Sequence, residues 1–218
     1  MNIIEKDIHW TNFFNAILEN DEELIRTYWF RPQKILDSYF TNGNIKYQIV
    51  KKHHSSYLSC FPSNLDSIPK ETMDKINAKV KDVEDWLQNE KSQFSQIEYN
   101  YDQLSLNYGN IEFVKTGIVK VNPFSKQYVG EKGVDISLAV KMISLSVNQK
   151  CDKIILVSGD YDYAEAIKFV KDNMTKIDIV KFHKGYPPKN KSVSRDLAVL
   201  ADRVIDVYES EIRNHYWV

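Results

Sequence analysis

The chain has 218 residues, 43% hydrophobic and 27% charged, with a formal net charge of −1. This balance fits one domain with an elaboration better than two independent domains, and near-neutrality argues against a binder that holds nucleic acid by global charge, so any basic surface must be local. Cys60 and Cys151 stand far apart without a CxxC partner, which argues against a disulfide scaffold or a cysteine-ligated metal. No run of about 18 apolar residues and no basic-then-apolar leader is present, so a cytoplasmic protein with no membrane contact is expected.

Thr11 is placed to cap a first helix through Phe13, Phe14, Ile17 and Leu18. Leu24 to Phe30 reads as a strand rich in β-branched and aromatic residues, closed by Arg31-Pro32. Ile45 to Val50 reads as another short strand. From Pro69 to Tyr108 the pattern turns helical and charged. Met73, Ile76, Val80, Val83 and Leu87 form a stripe that Ile97, Tyr101, Leu104 and Tyr108 continue, and its drift from a strict heptad favours a helical hairpin packed on the core over a partner-binding coiled coil. Ile111 to Val121, with Gly117 inside, predicts one bent strand or a strand pair.

The rhythm then becomes strand–helix–strand. Helices are predicted over 135–147, 163–171 and 194–202, and strands over 154–157, 177–182 and 204–207. Such alternation predicts an α/β fold with a mostly parallel central sheet.

In such sheets ligands bind beyond the carboxyl ends of the strands. The stretch Ile154-Ile155-Leu156-Val157-Ser158-Gly159-Asp160-Tyr161-Asp162-Tyr163 delivers two carboxylates there, two residues apart, and Asp135 opens the preceding helix. If the fold gathers Asp135, Asp160 and Asp162, the oxygen ligands suit a hard cation such as Mg²⁺. Such an ion can activate water and hold a phosphate. The same residues also suit helix caps and turns, where a carboxylate satisfies free N–H groups. Spacing alone therefore leaves an acidic pocket and a set of caps both open.

The paired segments Glu131-Lys132-Gly133-Val134-Asp135-Ile136-Ser137-Leu138-Ala139 and Leu156-Val157-Ser158-Gly159-Asp160-Tyr161-Asp162-Tyr163 resemble the NYN-domain family of PIN-like nucleases, in particular its bacterial LabA-type branch. Tyr28 to Ile35 is similar to the family's second strand and its exit, and Ser194 to Asp206 to its closing helix and strand. The resemblance implies a single Rossmann-like, three-layer PIN/NYN domain over residues 1–218 with a helical insertion at about 69–108. It also implies Mg²⁺- or Mn²⁺-dependent ribonuclease action on RNA, expected to be single-stranded, with Asp135, Asp160 and Asp162 as metal ligands and a metal-activated water as nucleophile.

Two positions depart from the family pattern. Family members begin with a strand ending in Asp-x-x-Asn, whereas this sequence opens Met1-Asn2-Ile3-Ile4, as if inside that motif with Asn2 as its Asn. The first strand and its acid are therefore expected upstream of Met1, unless the chain is a degenerate copy. Lys141 stands where an acidic residue is common in the family; lying six positions from Asp135 on another helix face, it is read as a solvated lysine.

Expected substrate contacts are Asn2, Ser158, Arg31, Lys184, Lys191 and Ser194. Lys181, His183, Lys184, Lys189, Lys191 and Arg195 cluster around Phe182 and Tyr186, a composition that can hold phosphates and stack bases or simply form a solvated loop. Ser194 is equally a helix cap. A non-catalytic module that binds RNA or a protein partner is the alternative function. The insertion at about 69–108 would serve either substrate choice or a homodimer.

Overall fold

The computed structural model describes residues 8–36, 44–61, 63–184 and 194–216. In chain order its helices and strands are α1 (Trp10–Ala16), β1 (Thr27–Arg31), β2 (Lys34–Leu36), α2 (Asn44–His53), α3 (Lys70–Asn107), β3 (Ile111–Lys115), β4 (Ile118–Asn122), β5 (Gln127–Lys132), α4 (Val134–Val147), β6 (Lys153–Leu156), α5 (Ala164–Asp172), β7 (Lys176–His183), α6 (Arg195–Leu200), β8 (Arg203–Tyr208) and α7 (Glu209–Glu211). Met1–Arg31, Asn100–Val114 and Gly133–Val218 form one compact unit, and Pro32–Tyr99 with Lys115–Lys132 form a second. Among the described residues no helix is long and apolar enough to cross a membrane.

The first unit is built on the parallel sheet β6-β7-β8. Leu156 pairs with Ile179, and β7 runs on beside β8 until His183 pairs with Tyr208. The strands are near-continuous apolar runs because both faces of the sheet are covered. On one face Ile177 and Ile179 pack with Ile167, Val170 and Leu197, all fully buried. On the other, Val180 and Val207 pack against Phe13 and Phe14 of α1. Helix–sheet–helix layering of this kind is the α/β architecture that the strand–helix alternation predicts. β1 pairs with β3 separately, and the tilted rings of Trp29, Tyr101 and Phe113 cluster there with centroids 4.9–5.7 Å apart.

The amino ends of the parallel strands are pinned by charge. Lys153 reaches Glu19 at 2.9 Å, Asp178 at 3.2 Å and also Glu22, while Arg203 holds Asp178 at 2.8 Å and the Ile17 carbonyl at 3.2 Å. Asp178 is 1% exposed, and these two cations offset the desolvation of its carboxylate.

In the second unit, β2 pairs parallel to β4, which pairs antiparallel to β5. A core of Ile45, Ile49, Val50, Ile68, Ile76 and Val83 joins α2 to α3. The strand expected over 45–50 is a helix. Its buried residues fall at 45, 49 and 50, which suits a period of 3.6 rather than 2. The hairpin expected over 69–108 is one helix of 38 residues, about 57 Å long. No Gly or Pro interrupts it between Pro69 and Gly109, so nothing turns the chain. The first helix is capped by His9 in place of Thr11: the His9 ring nitrogen accepts from the Asn12 N–H at 3.4 Å.

Candidate active site

β6 ends at Leu156, and the chain leaves the carboxyl edge of the sheet through Val157, Ser158 and Gly159. Asp160 is extended (φ −79°, ψ 128°) and caps the short 3-10 turn Tyr161–Tyr163. Its Oδ1 accepts from the Asp162 N–H at 3.1 Å, and the Ser158 hydroxyl accepts from the Asp160 N–H at 3.3 Å. The turn is thus held by its own side chains. α5 continues from it, burying Ala164, Ile167 and Val170.

Asp135 arrives from the other side. Gly133 sits at φ +91°, a conformation that penalises any Cβ, and this left-handed step sets the start of α4. The Ser137 hydroxyl donates to the Gly133 carbonyl at 2.9 Å and secures that first turn. Asp135 lies within it and accepts at Oδ1 from the Tyr163 hydroxyl at 2.7 Å. Burial, the hydrogen bond to Asp135 and the charges of Asp135 and Asp160 push the Tyr163 phenol well above its usual range; the Ser158 hydroxyl pulls weakly the other way. The phenol therefore stays protonated and donates.

Asp135 bonds the Tyr163 hydroxyl and Asp160 caps the turn that carries Tyr163, and each keeps a second carboxylate oxygen free of hydrogen bonds among the described residues. Asp135, Asp160 and Asp162 are all exposed. What ties Asp162 to Asp160 is its backbone N–H. Among the described residues no group of three or more His, Cys, Asp or Glu side chains is arranged to hold a metal ion. Two exposed carboxylates still suit Mg²⁺ or Mn²⁺, hard ions that commonly take one or two protein carboxylates and keep several waters.

The other expected contacts are dispersed. Arg31 is 5% exposed, with its guanidinium carbon 4.6 Å from the Tyr101 ring centroid, a packed cation rather than an open one. Lys184 is exposed just past β7. The Ser194 hydroxyl caps α6 by accepting from the Leu197 N–H at 3.1 Å, which leaves its own proton free to donate. Asn2, Lys189 and Lys191 lie outside the described residues.

Three features differ from the sequence reading. His183, grouped above with a basic loop, is a buried β7 residue whose Nε2 lies 2.5 Å from Asp206 Oδ1 and whose ring stacks 4.6 Å from that of Tyr208. Lys141 is half-buried over the Tyr28 ring, its Nζ 4.0 Å from the centroid, rather than solvated. It lines a cavity of about 1690 Å³ between β1, α4 and β6 that reaches Ser158 and Tyr163. Tyr163, to which the sequence reading assigned no chemical role, both packs in the core and orients Asp135. The signal for it was present, an aromatic hydroxyl beside an acidic turn that begins a buried helix.

The family model for the NYN domain matches residues 74–210. The chain belongs to the NYN-domain family. The matched span carries Asp135, Asp160 and Asp162 with the turns that present them, and places the parallel sheet in a PIN-like domain of nuclease type. No curated protein and no solved structure matches this NYN protein.

Proposed function

We propose that this NYN protein is a cytoplasmic, Mg²⁺- or Mn²⁺-dependent ribonuclease that hydrolyses phosphodiester bonds of single-stranded RNA. The observation that carries the reading is that Asp135, from a separate segment, accepts from the Tyr163 hydroxyl beside the Asp160 turn at the carboxyl end of a parallel sheet, where the phenol also feels the charge of Asp160. Asp135 and Asp160 would hold the cation, with Asp162 beside them. Bound there, the ion supplies activation of water and neutralises charge developing on the phosphate. Tyr163 fixes the Asp135 carboxylate, and the Ser158–Asp160–Asp162 turn fixes Asp160. Lys184 and the Ser194 hydroxyl, with Lys191, are the candidate donors to substrate phosphates.

The test is cleavage of a single-stranded RNA with Mn²⁺ by the intact chain and by Asp160→Asn. Asn retains the oxygen that caps the turn and removes only the charge, so the fold stays and cleavage is lost. Metal-dependent cutting that survives the substitution would overturn the site assignment. One observation favours a second reading, a binding module without catalysis: three carboxylates are not gathered into one ligand group among the described residues. RNA retained but never cut, with either ion, would establish that alternative.

A further inference from the structure

The three-stranded sheet of the second unit separates its charges by face. Lys34 of β2 lies opposite Ile118 of β4, and Ile118 lies opposite Lys132 of β5. One row on, Leu36, Lys120 and Gly130 are aligned in the same way. Paired residues share a face and side chains alternate along each strand, so Lys34, Lys120 and Lys132 all stand on one side of the sheet. Lys34 and Lys132 sit two ladder steps apart, about 10 Å, with Lys120 about 7 Å further along. The only carboxylate in these strands, Glu131, is opposite Val119 and therefore on the other face, where it accepts from the Tyr128 hydroxyl at 3.0 Å.

Among the described residues nothing neutralises the three lysines. Lys34 and Lys132 are exposed and Lys120 is half-buried, and none makes a hydrogen bond or ion pair among the described residues. Nearby lysines of the same unit behave differently: Lys126 pairs with Asp82 at 2.7 Å and Lys115 with Glu98 at 3.9 Å. Opposite Lys120 the surface is open, because Gly130 has no side chain and nothing lies within 4 Å of where a Cβ would stand.

We propose that this lysine face binds the phosphodiester backbone of single-stranded RNA. The choice of RNA as the polyanion rests on the function proposed above. Flexible ammonium groups suit phosphates at varied spacing, and a face without carboxylates does not repel a chain of them. The one aromatic residue of these strands, Tyr128, lies opposite Val121 beyond a β-bulge after Lys120 and so projects from the opposite face; the strands offer no ring on which a base could stack, and binding is independent of sequence. On this face the strands also carry no aromatic anchor of the kind that a protein partner would use.

The test separates binding from cleavage by using the full chain in EDTA. Anisotropy of a labelled single-stranded oligoribonucleotide is followed across a salt series. Lys34→Gln/Lys120→Gln/Lys132→Gln together should weaken binding and make the log–log salt slope shallower by about 2, from three lost phosphate contacts. The corresponding triple Lys→Arg variant should keep both affinity and slope. Removing three lysines of α3 (Lys70→Gln/Lys79→Gln/Lys81→Gln) should change neither. An unchanged slope in the first variant, equal loss in the α3 variant, or no RNA binding by the intact chain would each overturn the proposal. Lysine-dependent binding without Mn²⁺-dependent cleavage would uphold this face while removing the nuclease reading; cleavage with binding indifferent to the three lysines would do the reverse.

Discussion

The Tyr163 hydroxyl donates to Asp135 Oδ1 across 2.7 Å and so couples the turn after β6 to the first turn of α4. Both ends of this bond are fixed by packing. Tyr163 is 3% exposed in the core with Ile167 and Leu197, and Val134 beside Asp135 is buried. An exposed carboxylate that would otherwise sample several rotamers is thereby held in one.

Tyr163→Phe removes this bond and keeps the ring. Asp135 is exposed, so water replaces the lost donor and stability should change by no more than about 1 kcal/mol. The carboxylate loses its orientation, and ligand-orienting contacts of this kind are typically worth 10–100-fold. We expect Mn²⁺ affinity, measured by direct titration, to weaken about tenfold and RNA cleavage to fall with it. Unaltered metal affinity would reduce Tyr163 to a packing residue.

Asp160 has two roles that substitutions can separate. Its Oδ1 caps the turn by accepting from Asp162, and its charge belongs to the cation site proposed above. Asp160→Ala loses the cap and should lower the unfolding free energy by about 1 kcal/mol in urea, while Asp160→Asn should cost only a few tenths. Equal stability of the two variants would show that the cap contributes nothing, leaving only the charge to account for the residue.

The sequence makes the parallel half of the fold legible because burial on both faces forces short apolar strands separated by amphipathic helices, as at Ile154–Leu156 and Ile177–Val180. Reading failed where local pattern was ambiguous. Ile45 to Val50 is too short to distinguish a period of 2 from 3.6 by composition. β5 has almost no buried side chain and gains its structure from pairing with β4, although the Asn122-Pro123 step, with the Asn122 side chain accepting from the Phe124 and Ser125 N–H groups, marks the hairpin. Asp135, Asp160 and Asp162 stand in the segments that carry the family resemblance; the Tyr163–Asp135 bond and the Lys141–Tyr28 stack depend on tertiary approach, of which the sequence shows no more than a tyrosine beside the acidic turn.

The ion cluster at the opposite end of the sheet gives a stability prediction independent of function. Lys153→Met leaves buried Asp178 with Arg203 alone and frees Glu22, a change that should cost about 3 kcal/mol at neutral pH. Glu22 is held below its ordinary value of 4.5, first by the Glu19 N–H that it accepts and then by Lys153. Asp202 is likewise held below 3.8 by Lys171 and the Ile177 N–H. Carboxylates depressed in the folded state contribute stability that is complete above their unfolded values and is lost as pH falls through the folded ones. Urea midpoints should therefore decline once pH drops below about 4.5. Without Lys153 the Glu22 share of that decline shrinks, because the cation that lowered its pKa is gone, whereas the Asp202 share is untouched. A Lys153→Met protein with the same acid profile as the parent, merely shifted downward, would show that Lys153 acts through Asp178 and not through Glu22.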